Sequence, residues 1–230
     1  MIAYSIVIKD NETSETGFNN LVESSKKVSN DFEIEKFKAV TPPDVKEVLQ
    51  AHKLQWNYPW EGTVTDFSSG LTKRAYQTRS PKARVACALS HYRLWNLCAN
   101  TNKSILILEH DAVFTTKLDF NMNDSKFNIL GINNPIGCTF KSRDYYQTIL
   151  NDDNKEQSVP RLAPANVPQG LAGNSAYIIK PAGANKLISL VKEFGLWPND
   201  AIMCYQLVPK LGVTRKFYTG IQTLKSTTTQ

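Results

Sequence analysis

The sequence predicts a single α/β domain of Rossmann-like character, with a mixed, mostly parallel central sheet. Short β-branched apolar runs alternate along the chain with stretches of helical periodicity. One run, Ser104-Ile105-Leu106-Ile107-Leu108, is uninterrupted and too short for most helices, the pattern of a strand buried on both faces. With 230 residues, 41% of them hydrophobic, the chain can bury one sizeable core, so one domain over residues 1–220 and a polar tail over 221–230 are expected.

Taken in order, Ala3-Tyr4-Ser5-Ile6-Val7-Ile8 reads as a buried strand that ends in Lys9-Asp10-Asn11. In such a fold the carboxyl end of a strand faces the ligand crevice, which makes Ile8 and Lys9 candidate ligand-binding residues. Phe18, Leu21, Val22 and Val28 mark a helix, and Phe32 to Phe37 alternates like a second strand. From Trp56 to Lys82 the periodicity fails at Pro59, Gly62, Gly70 and Pro81, so a long functional loop is expected. Ala83 to Asn100 is strongly helical, with Asn100-Thr101-Asn102 as its stop. Asn151 to Gln169, with three prolines, reads as a mobile loop. Beyond it, Ala176 to Ile179 should be a strand, Ala182 to Phe194 a helix, and Asp200 to Leu211 a further helix capped near Asn199.

No stretch approaches the roughly 18 apolar residues that span a bilayer, and Met1 to Asp10 lacks a signal-peptide pattern. Cys87, Cys98, Cys138 and Cys204 show no CxxC spacing and read as reduced thiols. Both observations predict a cytoplasmic protein. The net charge of +6 admits a polyanionic partner such as nucleic acid, an anionic membrane or a phosphorylated glycolipid, and equally mere solubility.

The chemistry centres on Ile105-Leu106-Ile107-Leu108-Glu109-His110-Asp111. A strand that delivers two acids, one residue apart, at its carboxyl end can hold a hard divalent cation beside a pyrophosphate. Glu109 and Asp111 are therefore candidate metal ligands, although acids after a strand also serve as helix caps or solvated loop residues. Upstream stands Cys87-Ala88-Leu89-Ser90-His91-Tyr92-Arg93-Leu94-Trp95; downstream, Gly173-Asn174-Ser175-Ala176-Tyr177-Ile178-Ile179 precedes Gly183-Ala184. These ordered motifs resemble glycosyltransferase family 25, the lipopolysaccharide and collagen-type galactosyltransferases, over about Ser80 to Asp200.

The resemblance implies a GT-A type fold, a nucleotide-sugar donor such as a UDP-sugar, Mn2+ or Mg2+, and inversion at the anomeric carbon. Asp111 becomes the leading metal ligand, with Glu109 on metal-bound water or the donor ribose. His110 stands where the family has a second Asp, and reads either as an extra ligand or as a packing residue. Ser90 and His91 match the family's Ser-His pair on the donor side, although His91 reads equally as a tie from its helix to neighbouring backbone. Trp95, at helical spacing with Leu94 and Cys98, reads as core. Arg84 replaces a family Glu: either it holds donor phosphates or the acceptor itself is anionic, and a solvated basic face is the alternative. Asp200, in Trp197-Pro198-Asn199-Asp200, matches the family's Pro-x-Asp segment and is the candidate general base; a helix N-terminal carboxylate is the alternative.

For the acceptor, a basic run of Lys73, Arg74, Arg79 and Lys82 beside the aromatics Trp56, Tyr58 and Trp60 suits a phosphate backbone and an extruded base. Lys73, Arg74, Trp56 and Trp60 are the acceptor candidates. The Tyr4 to Lys9 opening and short form resemble phage-encoded relatives, which favours 5-hydroxymethylcytosine in DNA as acceptor, in a host cytoplasm. The alternatives are a saccharide or lipopolysaccharide acceptor, and a catalytically inactive nucleotide-sugar-binding module.

Overall fold

The apolar run after Ser104 forms the middle of the sheet because neither of its faces can meet water. In the structure, a computed structural model that describes residues 2–78 and 80–224, this is β5 below, and Ile105 through Leu108 are essentially inaccessible. In chain order the elements are β1 (Ile2–Val7), α1 (Glu12–Lys27), β2 (Ile34–Lys38), α2 (Val45–Ala51), β3 (Thr63–Asp66), β4 (Leu71–Arg74), α3 (Pro81–Thr101), β5 (Ile105–Glu109) and β6 (Ala112–Phe114). They continue with β7 (Ile129–Gly131), α4 (Ser142–Leu150), β8 (Glu156–Ser158), β9 (Ala176–Ile179), α5 (Pro181–Phe194), α6 (Asn199–Ile202), β10 (Leu211–Thr214) and β11 (Thr219–Ile221).

Seven strands form one sheet in the order β2-β1-β5-β9-β7-β10-β8. β2, β1 and β5 are mutually parallel. β9 runs antiparallel to both β5 and β7, β10 is parallel to β7, and β8 reverses at the edge. Five strands thus share one direction, which is the expected mixed, mostly parallel sheet. The reversal of β9 brings its first residues to the carboxyl end of β5, where the Glu109 N–H donates to the Ser175 carbonyl at 2.8 Å.

Alternate residues of β5 serve opposite layers, as the period of a strand requires. Ile105 and Ile107 join the core under α3 and α5, whereas Leu106 and Leu108 join the core that includes Leu21 of α1 and Phe114. α1 starts at Asn11, whose side chain accepts from Ser14 N–H at 2.9 Å. It lies close to the end of β5 because Gly17 has no side chain: a Cβ there would sit 2.6 Å from the His110 carbonyl. α3 begins at Ser80-Pro81 and stops where expected, with Asn102 in the left-handed region at φ 52°.

Four expectations need correction. The segment from Trp56 is not all loop, since it contains the β3–β4 hairpin. The segment expected as a mobile loop contributes β8, paired along β10. The expected helix from Asp200 to Leu211 is only Asn199–Ile202. The chain leaves it because Tyr205 N–H donates to Gln169 O at 2.9 Å and Cys204 bridges Gly170, a contact so close that a Cβ on Gly170 would meet Met203 O at 2.3 Å. Part of the expected tail is folded: the Gln222 N–H donates to the Asp111 carbonyl at 2.7 Å, and its side chain to Gly17 O at 2.9 Å. Residues 225–230 and Arg79 lie outside the described residues. Among the described residues no helix is long and apolar enough to cross a membrane, and all four cysteines are free.

Candidate functional site

The carboxyl end of β5, the first turns of α3 and the start of α6 lie close together, so that Asp200 feels the charges of Arg84 and Glu109 and a hydrogen bond from Tyr76. On the β1 and β2 side, Glu109 closes an apolar cleft lined by Ile6, Ile8, Val40, Thr41, Ala83 and Cys87 among others. Glu109 follows Ile105 and Ile107 in strand period and faces α3. His110 packs against Gly17, its ring carbon 3.2 Å from where a Cβ would stand, and it also contributes to the lining of the cleft. Ser90 Oγ accepts from Val40 N–H and donates to Ala86 O, both at 2.9 Å, tying α3 to the end of β2. Ser90 and His91 are buried, at 1% and 0% exposure, and both contribute to the lining of the cleft. Lys9 projects into solvent beside Asp10, 3.9 Å away, outside the cleft that Ile8 lines.

The electrostatics are those of several acids around one cation. Burial pushes Asp111 up to about 7, with the charge of Glu109 adding to it. Burial also raises Asp200, against the pull of Arg84 and a hydrogen bond from Tyr76. Glu109 is desolvated as well, but its hydrogen bond to His91 and the charges of His110 and Arg84 hold it below the usual carboxylate range. Cys87, buried beside Glu109 and Asp200, is held as the thiol. The Arg84 guanidinium lies 5.1 Å over the Tyr76 ring.

Buried polar groups normally find partners. Here Asp111 Oδ1, Asp200 Oδ1, Arg84 Nε, the Asn174 amide and Ser175 Oγ are all buried without one among the described residues. Arg84, Glu109, Asp111 and Asp200 are thus brought together as expected. Asn174 and Ser175 were within a quoted motif, and their signal was two polar residues directly before a buried strand. Cys87 was likewise within a quoted motif, as its first residue, whereas Tyr76 joins the site with no local signal at all.

The acceptor candidates fare differently. Lys73 is 3% exposed; its ammonium donates to Asn57 O at 2.8 Å, pairs with Asp66 at 3.1 Å and lies 4.6 Å over the Trp197 ring. It therefore belongs to the interior of the hairpin and is withdrawn from the phosphate-tracking set. Trp56 is half-buried, its Nε1 donating to Tyr58 O at 2.9 Å and its ring stacked on Trp60 at 4.9 Å. Arg74 and Trp60 face solvent, Trp60 at 42%.

Stranding one partner of a buried pair is expected to be severe: Asp66→Ala should lower stability by about 3–5 kcal/mol in chemical denaturation. A loss below ~1 kcal/mol would show the pair to behave as a surface one. Burial disfavours the Asp66 charge, but hydrogen bonds from Ser68 and Lys73 overcome it and hold the group at about 2. Because that value is depressed, its contribution is present above the ordinary carboxylate range and lost as pH falls toward 2.

Among the described residues, ligand atoms of Cys87, His91 and Glu109 also lie within 4.8 Å of one another, a spacing that admits a metal ion.

The family model described as Glycosyltransferase family 25 (LPS biosynthesis protein) matches residues 18–203. No curated protein matches the chain significantly. Solved structures that are similar include the galactosyltransferase LgtC in complex with donor and acceptor sugar analogs, at 10% identity and a TM-score of 0.43 over 93% of this chain and 72% of that one. Others are mouse xyloside xylosyltransferase 1, at 9% identity and 0.37 over 90% and 80%, and the bifunctional glycosyltransferase WbbM, at 13% identity and 0.42 over 93% and 38%.

Proposed function

This chain belongs to glycosyltransferase family 25 and is a glycosyltransferase; on that premise we propose that it transfers a sugar from a nucleotide sugar, UDP-linked by preference, to a saccharide hydroxyl, with inversion and with a divalent cation. The observation that carries this reading is the pair of orphaned buried carboxylate oxygens, Asp111 Oδ1 and Asp200 Oδ1, which together with Arg84, its Nε also unpaired, surround Cys87.

The residues fit a divalent ion. Asp111 is raised by burial, with the charge of Glu109 adding to it, and an oxygen without a partner at the end of β5 is suited to a hard metal such as Mn2+ or Mg2+. Asp111 would hold it, with Glu109 beside it, and the ion would neutralise the departing nucleoside diphosphate. The apolar cleft beyond Glu109 accepts the flat, mostly apolar body of the nucleoside. Arg84, at the start of a 21-residue helix with no acid in its first turn, faces the pyrophosphate. Asp200 takes the proton of the acceptor hydroxyl, its basicity raised by burial. On its far side lies a second cleft, lined by Tyr76, Lys141, Tyr145 and Gln169, which receives the acceptor. Free thiols and a nucleotide-sugar donor suit a cytoplasmic reaction.

Of the surface on which a DNA acceptor rested, exposed Arg74, Lys82 and Trp60 remain among the described residues, and Lys73 is interior. Incubation with a panel of nucleotide sugars and Mn2+ is expected to release nucleoside diphosphate and add one hexose or pentose mass to an oligosaccharide acceptor. A mass gain on hydroxymethylated DNA, with affinity falling linearly on log-log axes with salt, would replace the saccharide by DNA. Absence of donor turnover and hydrolysis across the panel would make the chain a nucleotide-sugar-binding module.

A further inference from the structure

We propose that Trp95, Tyr177 and His91 form a buried hydrogen-bond relay that fixes the neutral, Nε2-protonated tautomer of His91 and so aims the Glu109 carboxylate into the crevice. The inference builds on the functional reading above, and it makes His91 a positioning residue rather than a ligand of donor or cation.

Spacing brings the four groups together. His91 and Trp95 are four residues apart and share one face of α3. Tyr177 pairs with Ile107 across the β5–β9 ladder, and Glu109 follows Ile107 on the same face of β5. His91, Trp95 and Tyr177 are each fully buried.

The proton positions follow from what each group is able to give. An indole N–H only donates, so at 2.9 Å from Trp95 Nε1 the Tyr177 hydroxyl oxygen accepts. The phenol proton then needs an acceptor, and His91 Nδ1 lies 2.9 Å from the same oxygen. A proton on Nδ1 would leave that buried phenol proton without an acceptor among the described residues, which costs about 1–3 kcal/mol. It would also leave a bare Nε2 facing Glu109 Oε1 at 3.3 Å, two lone pairs opposed, in the neutral ring. With Nδ1 bare, every donor meets an acceptor: Trp95 to Tyr177, Tyr177 to Nδ1, and Nε2–H to Glu109.

The relay also resolves the cluster of Cys87, His91 and Glu109. Metal ligands must be deprotonated. His91 Nε2 carries its proton toward Glu109, so within this cluster the imidazole offers no lone pair to a cation. The cation of the proposed reaction therefore belongs on the Asp111 side of Glu109.

The test is a long-range proton–nitrogen spectrum of the intact protein labelled in its histidines, with His91 assigned by its disappearance in His91→Gln. The expected pattern at neutral pH is a bare Nδ1 and a protonated Nε2, unchanged by added Zn2+ and perturbed at Nδ1 in Tyr177→Phe. A protonated Nδ1, alone or with Nε2, or loss of the Nε2 proton on Zn2+ addition, overturns the relay. In kinetics, His91→Leu should lower kcat/KM for the donor by about 10- to 100-fold, and His91→Gln, which retains an N–H toward Glu109, should recover part of it. Leu at the wild-type value, or Gln no better than Leu in proteins of equal melting temperature, also overturns it. If the wild type turns over no nucleotide sugar, the functional reading fails while the spectrum still decides the relay.

Discussion

Replacing Asp111 by Asn is expected to abolish sugar transfer while leaving the fold at least as stable as before. An amide keeps the size of the side chain but not the charge that holds a divalent ion, so the loss should be near complete. The stability half of the expectation comes from the same physics. Burial and Glu109 raise Asp111 to about 7 from an ordinary value of 3.8. A carboxylate whose folded-state value is raised opposes folding once ionised: the penalty begins as pH passes the unfolded value and grows until about pH 7. Asn removes it, so the variant should melt higher than the wild type at neutral pH, and by less at acidic pH. Added Mn2+ should raise the wild-type melting temperature and leave that of the variant unchanged, since only a ligand that binds the folded state shifts it. Glu109→Gln should be damaging but milder, because it preserves an oxygen to accept from His91. Full activity of Asp111→Asn, or wild-type activity undiminished in chelator, would sink the metal assignment.

Asp200→Asn should lower kcat by about 10²- to 10⁴-fold with little change in donor affinity, because a general base acts on the proton that moves in the transition state. The carboxyl has no partner for Oδ1 among the described residues, takes a hydrogen bond from Tyr76, and is raised by burial. A raised base is ionised later, so wild-type turnover should climb with pH through that raised value, and the limb should vanish in the variant. If donor binding and melting temperature collapse together, Asp200 is structural. A wild-type rate would move the base elsewhere.

How much of this was legible beforehand differs by residue. The Glu109 and Asp111 pair was readable because a strand's period and its apolar run state both where it is buried and where it ends. Arg84 was readable as a charge at the start of a helix that leads toward the crevice. His91 and Trp95 stood in a recognisable spacing, but whether they were core or site depended on Tyr177, which is 86 residues from His91. Tyr76 gave no signal, because nothing local says that the hairpin will fold its end back over Arg84.

Lys73 marks the boundary most clearly. In the sequence it is one of several basic residues in an irregular segment, the composition of an exposed, phosphate-binding loop. In the structure β3 pairs with β4, and Asp66 and Asn57 meet its ammonium inside the molecule. A charge is read locally, but its burial depends on partners brought by long-range pairing. The helix expected after Asp200 failed for the same reason, since Gly170 and Gln169 capture Cys204 and Tyr205 in place of further turns.

By itself the sequence determined the α/β class, the buried strand β5, the length of α3 and the acids that close the strand, because hydrophobic period, capping residues and turn formers act over a few residues. Only the tertiary structure decided that β9 runs backwards and sets Asn174 and Ser175 beside Glu109, that Lys73 is interior, that Tyr76 reaches Asp200, and which histidine nitrogen faces Glu109. Those outcomes rest on contacts between residues distant in the chain, whose energies exist only once the sheet has chosen its neighbours.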